Sequence, residues 1–172
     1  MEERFHETTL FWRKWIARSK YKGRWREMVN RSALMLKLLI SREHGSLIAA
    51  PTFSLPEQIG GERNWDYRYT WLRDATFTLY ALVRLGFIEE AESFIDWLKG
   101  RLGDDAERGP LQVMYGVDGR QQLDESVLDS LSGYEHSHPV RIGNAAYRQL
   151  ALTSAATYLD RMLSGTTDAV WR

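Results

Sequence analysis

At 172 residues the chain has the length of one ordinary domain, and a hydrophobic content of 44% is enough for a core. Lys plus Arg and Asp plus Glu balance at 23 each, which excludes a general electrostatic pull toward nucleic acid or an anionic membrane. The absence of Cys excludes disulfides and thiolate metal sites.

The first residues, Met1 to His6, are acidic and lack an apolar stretch, so no signal peptide is expected. The most apolar run, Leu34 to Ile40, is interrupted by Lys37 and is far too short to span a bilayer. A soluble, cytoplasmic protein is the expectation. Residues 1–22 are taken as an opening linker-helix segment, and 23–172 as one helical unit. Trp25, Met28, Val29, Ala33, Leu36, Leu39 and Ile40 fall on one face of a helix over 23–42. Residues 43–64, broken by Gly45, Pro51, Pro56, Gly60 and Gly61, read as a long loop, and a loop of that length is often functional.

A helix over 70–85 is apolar nearly all round, which predicts burial on most sides, and Gly86 supplies its left-handed cap. The next helix, 88–102, carries Glu89 and Glu90 in its first turn and presents Ala91, Phe94, Ile95 and Leu98 as its apolar face. Residues 111–123 read as a short hairpin turning at Asp118-Gly119, and the stretch around Asp124 and Glu125 as a solvated helix start. A last helix is expected from 144 onward through Leu152, Ala155, Ala156, Leu159 and Met162. The pattern is all-α with one small β-hairpin. Alternation of nearly all-apolar with amphipathic helices fits two concentric layers whose loops gather at one end.

Chemistry concentrates in Gly60 to Asp74. After a Gly-Gly break, Trp65, Tyr67, Tyr69 and Trp71 alternate with Arg63, Arg68, Arg73, Asp66 and Asp74. Aromatic faces stack on the apolar side of a sugar, and charged groups read its hydroxyls. An aromatic cluster also serves a core. Arg73-Asp74 reads either as a structural ion pair or as a hydroxyl clamp, Asp accepting and Arg donating. The neighbouring guanidinium favours the ionised carboxylate, so Asp74 is assigned to recognition rather than to proton transfer. Tyr67 and Trp71, four apart, would share one face of a helix. Asp66 is either the cap of the following helix or a ligand contact. His136 and His138 lack the spacing of a zinc site, and no metal or cofactor is expected. No P-loop, dinucleotide fingerprint or nucleophile elbow is present.

Several separate motifs occur in one order: Tyr21-Lys22-Gly23-Arg24-Trp25, Arg31-Ser32-Ala33-Leu34, Ala49 through Glu57, Gly60 through Ala75, Leu82 through Phe87, Leu111 through Gly119, and Pro139-Val140-Arg141-Ile142-Gly143-Asn144-Ala145-Ala146. Over about residues 10–150 the chain closely resembles the bacterial branch of glycoside hydrolase family 15, which contains glucoamylases, glucodextranases and trehalases. The resemblance implies part of an (α/α)6 toroid, incomplete here, and hydrolysis of α-linked glucosides with inversion. It implies that Arg73 and Asp74 grip the terminal glucose, that Tyr67 and Trp71 wall the same subsite, and that Arg141 and Asn144 lie in a loop bordering the cleft. The family's general acid and base are glutamates that no residue of this chain matches. Inversion needs two carboxyl groups roughly 6.5–9.5 Å apart. Relatives often carry Arg where this chain has His138. After Gln149-Leu150 the sequence departs from the family pattern, with an atypical tail from about 151, a swap that a base slip in the coding DNA would produce. The implied partner is an α-glucoside or oligosaccharide. The chain alone is expected to expose apolar helix faces, to be poorly soluble, molten or self-associated, and to hydrolyse nothing. A non-catalytic carbohydrate-binding or interaction module is the alternative.

Overall fold

The computed structural model describes residues 2–102 and 111–151. Helix α1 (Glu2–Ala17) begins on Glu2 and Glu3 and has Lys14 in its last turn, charges that complement the helix dipole at both ends. It buries Trp15, whose ring stacks on Phe87 with centroids 4.0 Å apart. Helix α2 (Arg26–Leu38) is shorter than the 23–42 expected. It stops because the chain reverses there: Ile40 bridges Leu47, and the Ile48 N–H donates to the Leu39 carbonyl at 3.0 Å. Its buried side is Ala33, with Leu34 and Leu36, against Trp15, Leu82 and Phe87. Trp25 and Met28, expected on that face, are 54% and 65% exposed, and Trp25 instead lies under the Arg24 guanidinium.

Helix α3 (Leu72–Leu85) buries Leu72, Ala75, Thr76, Leu79 and Leu82. Gly86, at φ +97°, ends it in the left-handed conformation expected, and the Gly86 and Phe87 N–H groups close onto the Val83 and Leu82 carbonyls. Burial is one-sided rather than all-round, since Phe77 is 68% exposed. Helix α4 (Glu89–Leu102) packs Ala91, Phe94, Trp97 and Leu98 against Leu72, Ala75 and Leu79 in the main core. At its start Glu90 is buried between α1 and α2. It accepts from the Trp15 indole at 2.7 Å and pairs with Lys37 at 2.9 Å. Burial pushes this carboxyl up most strongly, but the Trp15 and Lys37 hydrogen bonds and the Lys37 charge prevail, holding it below the usual glutamate range.

The long loop expected over 43–64 contains strand β1 (Phe53–Pro56), paired antiparallel with β2 (Asn64–Asp66). Pro56 is tolerated because it closes the strand at its end. Strand β3 (Thr70–Trp71) pairs with β4 (Met114–Tyr115), and β5 (Ser126–Val127) with β6 (Arg141–Ile142), each antiparallel. The 111–123 hairpin is therefore corrected: the turn at 116–119 forms, closed by Gly119 N–H on the Gly116 carbonyl, but β4 takes its partner from β3. The helix start read at Asp124-Glu125 is the extended approach to β5. The helix expected from 144 begins as a 3-10 turn, Ala145–Arg148, after which Gln149 is extended and Leu150 bridges Gln112. Leu152, Ala155, Ala156, Leu159 and Met162 lie outside the described residues. Among the described residues no helix is long and apolar enough to cross a membrane.

Candidate functional site

The chain from 64 to 71 is extended up to the first residue of α3, so the condition under which Tyr67 and Trp71 would share a helix face is not met. The reason is pairing. The Ala50 and Ala49 N–H groups donate to the Tyr67 and Tyr69 carbonyls at 3.0 and 2.9 Å, and Leu72 N–H donates to Val113 at 3.1 Å. These bonds lay the segment over the core and deliver its last residue, Trp71, as the N-terminal cap position of α3.

Arg73 and Asp74 then stand in the first turn of α3, where a carboxylate is favoured by the helix dipole. The Arg73 Nη2 donates to Asp74 Oδ2 at 3.1 Å, and the pair is open, with side chains 69% and 37% exposed. The Arg73 guanidinium lies 5.5 Å from the Trp71 ring centroid. The Trp71 indole nitrogen is shielded and has no hydrogen-bond partner among the described residues. Tyr67 belongs to the same cluster: burial raises its phenol most, the Glu57 and Asp74 charges raise it further, and Arg73 opposes them. Three of the six residues singled out from sequence, Trp71, Arg73 and Asp74, are thus in contact, and Tyr67 is near enough for the Asp74 and Arg73 charges to act on its phenol.

Arg141 and Asn144 form a second group built around β2. The Arg141 side chain is only 17% exposed, pairs with Glu125 at 3.1 Å, donates to the Glu62 carbonyl at 2.7 Å, and lies 4.9 Å over Trp65. Asn144 is buried. Its Nδ2 donates to the Asp66 carbonyl at 3.1 Å and its Oδ1 accepts from Ala146 N–H at 3.1 Å, so both ends of the amide are engaged by the backbone.

Asp66 does not cap α3, whose cap position is Trp71. It is fully buried, and its carboxylate accepts from Arg68 N–H, Nε and Nη2 at 3.2, 2.9 and 2.8 Å and from Gly143 N–H at 3.2 Å. Burial is the largest influence and pushes the carboxyl up, but the Arg68 hydrogen bonds and charge, with Gly143, outweigh it and hold the group below the usual aspartate range. Gly143, at φ +78°, has no room for a side chain, since a Cβ would meet the Asp124 carbonyl. Sequence reasoning missed Glu125, Asn64 and Ser54 as parts of this framework. Their bonds to the 139–141 segment span 16 to 87 positions, and no local pattern reports such pairings. A groove of about 770 Å³ along α2, lined by Trp25, Met28, Met35 and Leu36 among others, shares no residue with either group. No set of three or more His, Asp or Glu side chains among the described residues is arranged to hold a metal ion.

A buried scaffold that leaves one Arg–Asp pair open at a helix start, beside the half-buried Trp71, offers paired donors and acceptors of the kind that suit a hydroxyl-rich ligand. Residues 23–168 match the model of glycosyl hydrolases family 15, and the chain belongs to that family. It is 48% identical over 160 residues to a trehalase of Mycolicibacterium smegmatis, covering 92% of this chain and 24% of that protein. It is 50% identical over 149 residues to a trehalase of Mycobacterium tuberculosis (86% and 22%), and 46% identical over 149 to one of Thermoplasma acidophilum (87% and 25%). The chain spans about a quarter of the length of these curated relatives. No solved structure matches it.

Proposed function

We propose that this chain carries the terminal-sugar-binding wall of a family 15 glycosidase, with an α-glucoside such as trehalose as its ligand. The observation that supports this most directly is the open Arg73–Asp74 pair beside Trp71 and Tyr67. Asp74 accepts from, and Arg73 donates to, adjacent ring hydroxyls, and the indole and phenol pack on the sugar's apolar face. Arg141 borders the site, and Asn144 holds the loop that carries it. The helices are read as part of an (α/α)6 toroid. Trehalose is preferred over maltodextrin because the relatives named above are trehalases.

The family reaction protonates the glycosidic oxygen from one carboxylic acid while a second carboxylate activates water on the opposite face. The resemblance assigns neither role within this chain, so 1–172 binds without hydrolysing. Its exposed Phe5, Phe11, Trp25, Met28, Met35 and Phe77 favour self-association. Titration of trehalose and maltose against the purified chain, read by tryptophan fluorescence, tests the assignment. The wild type is expected to bind saturably, and Asp74→Asn to bind about tenfold more weakly, as expected for one lost charged hydrogen bond. Equal affinity in Asp74→Asn refutes the clamp, and glucose release by the wild type refutes the absence of hydrolysis.

A further inference from the structure

Three buried side chains stand in for a backbone ladder along one edge of residues 139–143. β6 gives its other edge to β5, where the Leu128 N–H donates to the Val140 carbonyl at 2.8 Å. On the near edge, Asn64 Nδ2 donates to the Pro139 carbonyl at 3.2 Å. The Ser54 hydroxyl donates to the Arg141 carbonyl at 2.7 Å and accepts the Arg141 N–H at 2.6 Å. Asp66 Oδ2 accepts the Gly143 N–H at 3.2 Å. The rungs fall on alternate residues, 139, 141 and 143, which is the same-edge period of extended backbone. Ser54, Asn64 and Asp66 are all at most 4% exposed.

The middle rung is the strained one. Ser54 is the extra residue in β1 between the pairs Phe53↔Asp66 and Leu55↔Trp65, and it holds φ +53°. A non-glycine residue in that region persists only where its surroundings compensate, and bulges commonly re-aim a side chain. Here the bulge turns the hydroxyl onto both peptide groups of one residue, Arg141. The Arg141 head is held as well, by Glu125, by the Glu62 carbonyl and over Trp65. A guanidinium has five N–H donors, so these protein contacts do not exhaust it. A fork fixed at both backbone and head loses little freedom when it meets a ligand.

We propose that Ser54 is a positioning residue, whose hydroxyl, presented by the bulge, sets Arg141 at the border of the sugar-binding wall. The proposal rests on the sugar-binding reading of that wall, and the test separates the two. Ser54→Gly relieves the positive φ and removes the hydroxyl, whereas Ser54→Ala removes the hydroxyl and keeps the strain. Arginine modification by phenylglyoxal, mapped by peptide mass on chain 1–172, reads Arg141 directly, with the exposed Arg73 as internal reference. Both variants are expected to modify Arg141 several-fold faster than the wild type at an unchanged Arg73 rate. Trehalose affinity is expected to fall about fivefold, the effect of one ordinary hydrogen bond. Unchanged Arg141 reactivity, or an increase in Ser54→Ala but not in Ser54→Gly, overturns the proposal, because the hydroxyl is then not what places the side chain. Faster modification with unaltered trehalose affinity also overturns it, leaving Ser54 merely structural. If the wild type binds no trehalose, the sugar reading of the wall fails, and the modification rates alone decide whether Ser54 places Arg141.

Discussion

Replacing Asp66 with Asn tests the framework that joins β2 to the 141–144 loop. Four N–H groups converge on the carboxylate, two on each oxygen. An asparagine keeps one oxygen and puts an NH2 in place of the other, so whichever way it turns, two donors lose their acceptor. If the amide nitrogen replaces Oδ2, the losers are Arg68 Nη2 and Gly143 N–H. Arg68 is 41% exposed and recovers water, so the lost ion pair is worth only about 0.5–1 kcal/mol. Gly143 is buried, and its orphaned N–H costs about 1–3 kcal/mol. The expected loss is about 1.5–4 kcal/mol, read as a lower urea midpoint at unchanged slope. A loss under about 1 kcal/mol would falsify the view that this carboxylate ties β2 to the 141–144 loop.

The same group predicts a pH dependence. The carboxyl of Asp66 lies lower in the folded protein than its unfolded value of about 3.9. Its contribution is therefore fully present above about pH 4 and is lost as pH falls through the folded value. The stability gap between wild type and Asp66→Asn is expected to be flat from neutrality to about pH 4 and to narrow below it. A gap that widens on acidification contradicts the direction of the shift.

Glu90→Ala should destabilise by about 2–4 kcal/mol in urea titration, because the Trp15 indole and Lys37 lose their acceptor in a buried site. Adding Lys37→Met should recover part of that loss by removing the unpaired ammonium. Gly86→Ala should cost about 1–2 kcal/mol in thermal or urea unfolding. The φ of +97° sets that penalty, since the Lys20 side chain that a Cβ would touch can move aside. Asp74→Ala should change stability by less than about 1 kcal/mol, because its partner Arg73 is largely exposed, while weakening trehalose binding.

What could be read from sequence follows interaction range. The end of α3 is written locally, in an apolar run that stops at a glycine able to take positive φ. The α4 face of Ala91, Phe94 and Leu98 is likewise a matter of spacing within one helix. The strands are not local. β3 is two residues long and exists because Met114 and Tyr115 lie beside it, more than forty positions on. β1 was hidden by Pro51 and Pro56, and much of what fixes it is the Ser54 hydroxyl on Arg141, 87 positions away. At Tyr67 and Trp71 the interval of four could be used only if the segment were helical, and pairing with residues distant in the chain imposes extension there.

Two Arg–Asp pairs within nine residues look alike in sequence, and burial separates them. Asp66 is wholly inside, its carboxylate filled by two Arg68 guanidinium contacts and two backbone N–H groups. A ligand could engage it only by dismantling bonds that hold the loop. Asp74 meets Arg73 through a contact of 3.1 Å at the exposed start of a helix. Exchanging protein contacts there for sugar hydroxyls requires no buried group to lose a partner. That asymmetry in replacement cost is why recognition is assigned to Arg73 and Asp74, and why Asp66 and Arg68 are read as a tie between β2 and the 141–144 loop. It predicts opposite signatures for the two aspartates: stability lost at Asp66 whether or not sugar is present, and affinity lost at Asp74 with the fold intact.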